Sequence, residues 1–313
     1  MGIEDRGSGA AQASELAALA GLFSAGPAAL LTGAGISTDS GIPDYRGTGG
    51  IWGTQRVPAT RGAAHGGGPR SEARGEGTPP RTPMRIDQFM SDEAYRRRFW
   101  AGARVGALRM LGIEPNAGHR AVAHLETEGW LSGVITQNVD GLHARAGSVN
   151  LAELHGNGAV IRCVPEDHRF TRGEVLGWFD TANPGFADRN AGAEITPDGD
   201  ADVAETAGVR VPVCPACGGL LRPDVVYFGE HVPQAVFAHA ERIVAGASAL
   251  VIAGSSLAVN TGVRLVHRAE QRGIPIAVIN RGPTAVDQRA STRVRIDGGT
   301  TETLTALAEA LGA

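Results

Sequence analysis

Apolar strand-like runs alternate with helical patterns along the 313 residues. This predicts an α/β fold, a Rossmann-like open parallel sheet with an inserted small zinc-type module and a helical/loop insertion. Three junctions support it: Ala28–Thr32 opens into Gly33-Ala34-Gly35, Leu131–Thr136 into Gln137-Asn138-Val139-Asp140, and Ala249–Ala253 into Gly254-Ser255-Ser256. Small and polar residues directly after strand ends are what a parallel sheet uses to line a ligand crevice.

The elements follow in order. Ser14 to Phe23 sets Leu16, Leu19, Leu22 and Phe23 on one helical face, with Ser14 as N-cap. Strand Ala28–Thr32 enters a glycine turn, where the backbone can approach a phosphate and a helix N-terminus can offer free N–H groups. The dehydrogenase fingerprint G-x-G-x-x-G fails there, because position 38 is Thr. Residues 54–83 hold six Gly, five Pro and five Arg against two Glu, and read as a flexible, mildly basic insertion. A helix starts near Ser91; another carries Val122 and Leu125 and stops at Gly129, before strand Leu131–Thr136. Val149 to Leu154 is strand-like and leads into His155. Val225 to Gly229 is a β-rich tract, followed by strand Ala249–Ala253. A helix near Val263–Gln271 stops at Gly273, before strands Ile274–Ile279 and Val294–Ile296 and a closing helix Thr301–Leu311. The resulting division is 11–53, 115–154 and 223–313 for the sheet domain, 54–83 for the insertion, 84–114 for a helical part of a small domain, and 155–222 for the metal module.

Composition narrows the classes. A net charge of −4 argues against general nucleic-acid affinity. No apolar run approaches the roughly 20 residues of a membrane span, and residues 1–15 lack the basic start and apolar stretch of a secretory leader. Three cysteines, two of them as Cys214-Pro-Ala-Cys217, suit a metal in a reducing compartment better than disulfides, so a cytoplasmic setting is expected. A monomer is expected as well. All 29 basic residues are Arg, so no lysine side chain is available for acylation.

The blocks GAGISTDSGIPDYRG (33–47), TQNVDGLHARAG (136–147) and LHG (154–156), in this order, resemble the sirtuin family of NAD-dependent protein-lysine deacylases. The likeness runs from about Leu16 to the C-terminus. The tract LRPDVVYFGEHVP (221–233) and the segment PGF…TPDGD (184–200) resemble its class II branch. The resemblance implies NAD as cofactor, acyl-lysine proteins or peptides as partners, and free lysine, nicotinamide and O-acyl-ADP-ribose as products. Mono-ADP-ribosyl transfer to protein and a non-catalytic NAD or ADP-ribose sensor are the alternatives.

The resemblance also implies roles. Gly33, Ala34 and Gly35 cradle the pyrophosphate; Ile42, Pro43, Asp44 and Tyr45 surround the nicotinamide carboxamide; Arg46 meets ribose or phosphate, for which a guanidinium fork is well shaped. Gln137 contacts ribose, while Asn138 and Asp140 line the nicotinamide pocket. Gly254, Ser255 and Ser256 make a second phosphate or ribose contact, and Asn280 lies by the adenosine half. Val225, Val226, Tyr227, Phe228 and Gly229 pair with the substrate backbone by strand addition. His155 is the general base, a role suited to an imidazole that titrates near neutrality. His143 is read as structural.

The metal pattern departs from two Cys-x2-Cys knuckles. Cys214 and Cys217 form one; Cys163 begins the other, but Glu166 stands three positions on, in Cys163-Val-Pro-Glu166-Asp167-His168. Glu166 or Asp167 through oxygen, His168 through nitrogen, or loss of the zinc site are the open readings.

Overall fold

The structure, a computed structural model, describes residues 4–44, 84–110, 112–193 and 200–313. The 54–83 insertion, Tyr45 and Arg46 lie outside the described residues. Helix α1 (Glu4–Gly21) and a 3₁₀ turn lead to β1 (Ala28–Thr32). Then come α2 (Ile86–Ser91), α3 (Glu93–Met110), α4 (Ala117–Thr127), β2 (Leu131–Thr136), α5 (Leu142–Ala146) and β3 (Leu151–Glu153). The small module holds β4 (Gly156–Cys163), β5 (Arg169–Thr171), α6 (Arg172–Ala182), α7 (Phe186–Arg189) and β6 (Leu221–Val225). The chain closes with α8 (Gln234–Ala245), β7 (Ala249–Ala253), α9 (Asn260–Gln271), β8 (Ile276–Ile279), β9 (Thr292–Ile296) and α10 (Thr300–Leu311).

The main sheet has the order β3-β2-β1-β7-β8-β9, and its neighbours pair parallel. Its middle strands are buried on both faces, which is why they read as unbroken apolar runs. Alternation along β1 divides two cores. Ala28 and Leu30 pack with Leu19, Val122 and Leu304 on one side. Ala29 and Leu31 pack with Phe237, Ile243 and Leu265 on the other. After β1 the chain builds outward to β2 and β3; after β7 it builds the opposite way, to β8 and β9. The strand order therefore reverses between β1 and β7, and a crevice opens beyond their C-terminal ends. A second sheet, β5-β4-β6, pairs antiparallel and covers a third core containing Trp100, Ile161, Phe179 and Leu221.

Several boundaries differ from the sequence reading. Helix α1 begins at Glu4, so Ser14 lies inside it rather than capping it. Of the predicted face, Leu19 and Phe23 are buried, with Leu16 and Leu22 packed at the edge of the same core. Strand β8 begins at Ile276, because the Ile274 N–H is taken by the Ala269 carbonyl at the end of α9 and Pro275 has no N–H to offer. The β-rich tract leaves strand geometry after Val225. Gly229, at φ +92°, turns the chain so that the Glu230 N–H bonds the Tyr227 carbonyl at 3.0 Å. Glycine is favoured at this third position of a four-residue turn.

Candidate active site and metal centre

Gly33, Ala34 and Gly35 leave β1 and pack directly on the turn that leaves β7. The Gly33 N–H donates to the Ala253 carbonyl at 3.2 Å and the Gly35 N–H to the Gly254 carbonyl at 2.9 Å. A Cβ on Gly33 would stand 2.8 Å from the Gly254 oxygen, so only glycine allows this approach. Across the crevice floor, Gln137 Nε2 donates to Ser255 Oγ at 2.8 Å, and that hydroxyl also accepts the Leu257 N–H at 3.2 Å. Ser256 is tied through its carbonyl to the Ala285 N–H. Asn280 is buried beyond β8, its amide donating to the Arg281 and Gly282 carbonyls. The predicted phosphate and adenosine residues thus share one rim.

Asn138 and Asp140 converge on Ser37, which sequence reasoning did not single out. Asn138 Nδ2 donates to the Gly33 carbonyl and to Ser37 Oγ, both at 3.1 Å. Ser37 Oγ donates in turn to Asp140 Oδ2 at 2.7 Å. The other Asp140 oxygen accepts the Leu142 N–H at 2.9 Å, at the start of α5. Ser37 is 1% exposed, so its hydroxyl is committed to these groups. No local feature of the sequence marks Ser37 out, because its bond to Asp140 spans 103 positions. Ile42 joins the same turn through its N–H to the Ser37 carbonyl; Pro43 is exposed and Asp44 half-buried.

Beneath this layer, Thr32 O–H donates to Thr136 Oγ1 and His143 Nε2 lies 2.9 Å from Thr32 Oγ1. Thr136 Oγ1 also accepts the Asn138 N–H at 3.1 Å. Because Thr32 spends its proton on Thr136, the His143 Nε2–H is the donor to Thr32. The His119 and His143 rings meet edge-on, 4.9 Å between centroids. Burial lowers His143 to about 3 and His119 to about 4.

His155 follows β3 and Leu154, whose N–H bonds the Thr136 carbonyl at 2.8 Å. Its Nδ1 lies 2.9 Å from the Gln137 carbonyl, an oxygen that can only accept. Nδ1 therefore carries the proton and Nε2 keeps its lone pair. Burial, against the partial support of that hydrogen bond, holds the imidazole below its ordinary 6.5 and neutral at pH 7. The His155 carbonyl accepts the Val226 N–H at 2.9 Å, placing the Val225–Gly229 tract alongside. Within that tract, the Ile86 N–H takes the Phe228 carbonyl at 3.0 Å.

Cys163 Sγ, His168, Cys214 Sγ and Cys217 Sγ form a group whose ligand atoms all lie within 4.8 Å of one another. Cys163 Sγ is 3.4 Å from Cys217 Sγ, and Cys214 Sγ is 3.4 Å from His168 Nδ1. Tetrahedral zinc with bonds of about 2.0–2.3 Å separates its ligands by about 3.3–3.8 Å, so this donor set fits one structural ion. Glu166 is exposed and outside the group. Asp167, at φ +51°, turns the chain so that the next residue, His168, faces the cysteines. Of the fourth ligands weighed from sequence, the geometry selects His168.

Comparison with known proteins agrees with this arrangement. The Sir2 family model matches residues 80–261. NAD-dependent protein deacetylase 1 of Mycobacterium avium (strain 104) is 46% identical over 286 residues, 90% of this chain and 91% of that protein. NAD-dependent protein deacetylase 1 of Streptomyces coelicolor (strain ATCC BAA-471 / A3(2) / M145) is 42% identical over 300 residues, covering 95% and 90%. A solved structure of Sir2 with a p53 peptide and NAD+ is 29% identical, with TM-score 0.65 and coverage of 93% and 96%. With the crevice, the tethered His155 and the Cys163-His168-Cys214-Cys217 group on one scaffold, the chain belongs to the Sir2 family.

Proposed function

We propose that this protein is an NAD-dependent protein-lysine deacylase, and that His155 is its general base. The observation that carries the reading is the His155 Nδ1 tether to the Gln137 carbonyl, next to Asn138 and Asp140. It fixes the tautomer, leaves Nε2 as an acceptor and keeps the ring neutral. Family membership and relatives named NAD-dependent protein deacetylase support the activity.

Bound NAD would supply a ribose whose bond to nicotinamide breaks and which receives the acyl group; with one water consumed, the products are free lysine, nicotinamide and O-acyl-ADP-ribose. The close-packed Gly33–Gly35 and Gly254–Ser256 turns fit a pyrophosphate and ribose at the switch point. Asn138 and Asp140, held by Ser37, orient the nicotinamide end together with Ile42, Pro43, Asp44, Tyr45 and Arg46; Gln137 serves ribose and Asn280 adenosine. His155 Nε2 takes a proton from a ribose hydroxyl. The amide oxygen of an acyl-lysine is a weak nucleophile, so alignment and stabilisation of developing positive charge on the ribose carry the rate. Val225 to Gly229 line the acyl-lysine path.

The zinc group is remote from this proton transfer and serves the small module. We place the boundaries of that module at 155–222, beside a sheet domain of 11–53, 115–154 and 223–313. Three free thiols, gathered around one metal position, support a reducing, cytoplasmic setting. Among the described residues no helix is long and apolar enough to cross a membrane. Incubating the protein with NAD and a panel of acyl-lysine peptides tests the reading. Nicotinamide and O-acyl-ADP-ribose must appear in equal amounts with free lysine; ADP-ribose attached to protein instead would replace it with the transferase reading.

A further inference from the structure

Three imidazole nitrogens are buried without a hydrogen-bond partner among the described residues: both of His119 and Nδ1 of His143. Buried polar atoms in a folded protein are nearly always paired, so two such rings in one core need a reason other than stability. The one nitrogen that is paired supplies it. The neutral His143 ring has a single N–H, committed at Nε2 to Thr32 Oγ1 at 2.9 Å. Thr32 donates its own hydroxyl proton to Thr136 Oγ1 at 2.9 Å, and that oxygen accepts the Asn138 N–H at 3.1 Å. A directional chain thus runs from α5, across the ends of β1 and β2, to the backbone of Asn138.

A second arm starts at α4. Asn116, its N-cap, accepts the His119 N–H at 3.2 Å and donates through Nδ2 to the Ile36 carbonyl at 2.7 Å. Ile36 precedes Ser37, whose hydroxyl is shared by Asn138 and Asp140. The two arms meet where the His119 ring packs edge-on against His143 and limits the plane that ring can take. Asn138 is therefore held twice, through its backbone from His143 and through its side chain from Ser37. His155 is anchored by other means. The Gln137 N–H bonds the Thr32 carbonyl at 3.0 Å and the Leu154 N–H bonds the Thr136 carbonyl at 2.8 Å, main-chain links that no change of the threonine side chains removes.

We propose that His143 is a positioning residue for the nicotinamide half of the site, acting through Thr32 and Thr136 to set the place of Asn138. The inference rests on the deacylase reading above. A neutral imidazole suits this work: it is a flat, stiff donor, and it starts a chain in which each hydrogen bond polarises the next. The chain ends on Asn138 and leaves the main-chain anchors of His155 intact. Its contribution is therefore to release of nicotinamide, and not to peptide recognition or to the proton transfer that follows.

The test uses the full chain and two variants that break the relay, His143→Phe and Thr32→Val, beside two that keep a polar group in it, His143→Gln and Thr32→Ser. In the breaking variants nicotinamide release at saturating NAD and peptide falls about tenfold or more, while the peptide KM stays within about threefold. Nicotinamide, a product, rebinds the pocket it leaves, so its inhibition constant rises about tenfold alongside. A merely destabilised enzyme would have fewer active molecules, each with the wild-type inhibition constant. His143→Gln and Thr32→Ser recover most of both losses. The double variant falls no further than either single one, because the two residues belong to one chain. Hydrogen exchange at the Asn138 amide needs no turnover, and it speeds up about tenfold in the breaking variants relative to its neighbours. A wild type that releases no nicotinamide would remove the deacylase reading, and the exchange result would still decide the relay. Should His143→Phe fail to fold, Thr32→Val alone decides. An unchanged inhibition constant, an equal loss in Thr32→Val and Thr32→Ser, or unchanged exchange at Asn138 would each overturn the assignment.

Discussion

The Gly35 N–H bonds the Gly254 carbonyl at 2.9 Å, and a Cβ built on Gly35 would stand 2.7 Å from the Gly254 Cα. These two residues belong to turns more than two hundred positions apart, yet their contact closes the floor of the crevice at the point where strand order reverses. The conformation is one-sided as well: Gly254 has φ +64°, and a Cβ there would meet the Ile36 nitrogen at 2.6 Å.

Gly254→Ala is therefore expected to lower both stability and NAD affinity. Overpacking against backbone that cannot yield costs about 1–3 kcal/mol, and the left-handed conformation adds about 1 kcal/mol. Thermal denaturation and NAD titration read the two effects. A variant that melts with wild type and binds NAD equally would show that the turns separate freely.

His155→Ala is expected to reduce deacylation by about 10²–10⁴-fold while NAD affinity changes little, because the ring moves a proton and contributes little to binding. The pH profile adds a signed test. Burial lowers the His155 pKa below 6.5, and the neutral ring is the working form. Activity should thus hold at pH 7 and fall only on the acid side of 6.5. An acid limb centred above 7, or a variant with more than half the wild-type turnover, would exclude His155 as the base.

What the sequence made legible, and what it did not, follows the range of the forces involved. Gln137, Asn138, Asp140 and His155 were readable because strand ends are set by local apolar runs, and the residues after them must face the rim. Ser37 was not readable as their organiser: its bond to Asp140 spans 103 positions, and nothing local distinguishes it from any serine in a polar loop. The choice between Glu166 and His168 turned on a single left-handed residue, Asp167, whose φ no spacing rule supplies. Ser14 failed as a cap because the good helix formers directly before it, Ala10, Ala11, Gln12 and Ala13, let α1 run through it.

The buried histidine pair gives a prediction for stability. His119 and His143 have folded pKa values of about 4 and about 3, both lowered first by burial, against 6.5 when exposed. The unfolded chain binds these protons first as pH falls. Their neutral burial is thus without penalty above pH 6.5, and stability is lost progressively from 6.5 down towards 4 and 3. The loss is on the order of a few kcal/mol across that window. Urea midpoints measured from pH 7.5 to 4.5 should fall less steeply in His143→Gln than in wild type. Identical slopes would mean that carboxylates alone govern the acid limb.

The metal centre gives the last prediction. With three thiolates and one imidazole, the purified protein should carry one zinc per chain, and His168→Ala should lose most of it. Glu166→Ala, an exposed residue outside the group, should keep full occupancy. Because ligand binding and folding of such modules are coupled, stripping the ion should loosen the module around β4 to β6 before the parallel sheet. Hydrogen exchange resolves that order: residues near Cys163 and Cys214 should exchange first on chelation, while β1 and β7, buried on both faces, stay protected. The nicotinamide side of the crevice is linked to the module through the Val226 N–H and His155 carbonyl, so turnover should decline as exchange at β6 rises. Elemental analysis showing normal zinc in His168→Ala and depleted zinc in Glu166→Ala would reverse the ligand assignment. Loss of sheet protection before that of the module would instead show that the ion stabilises the whole fold and not its smaller half.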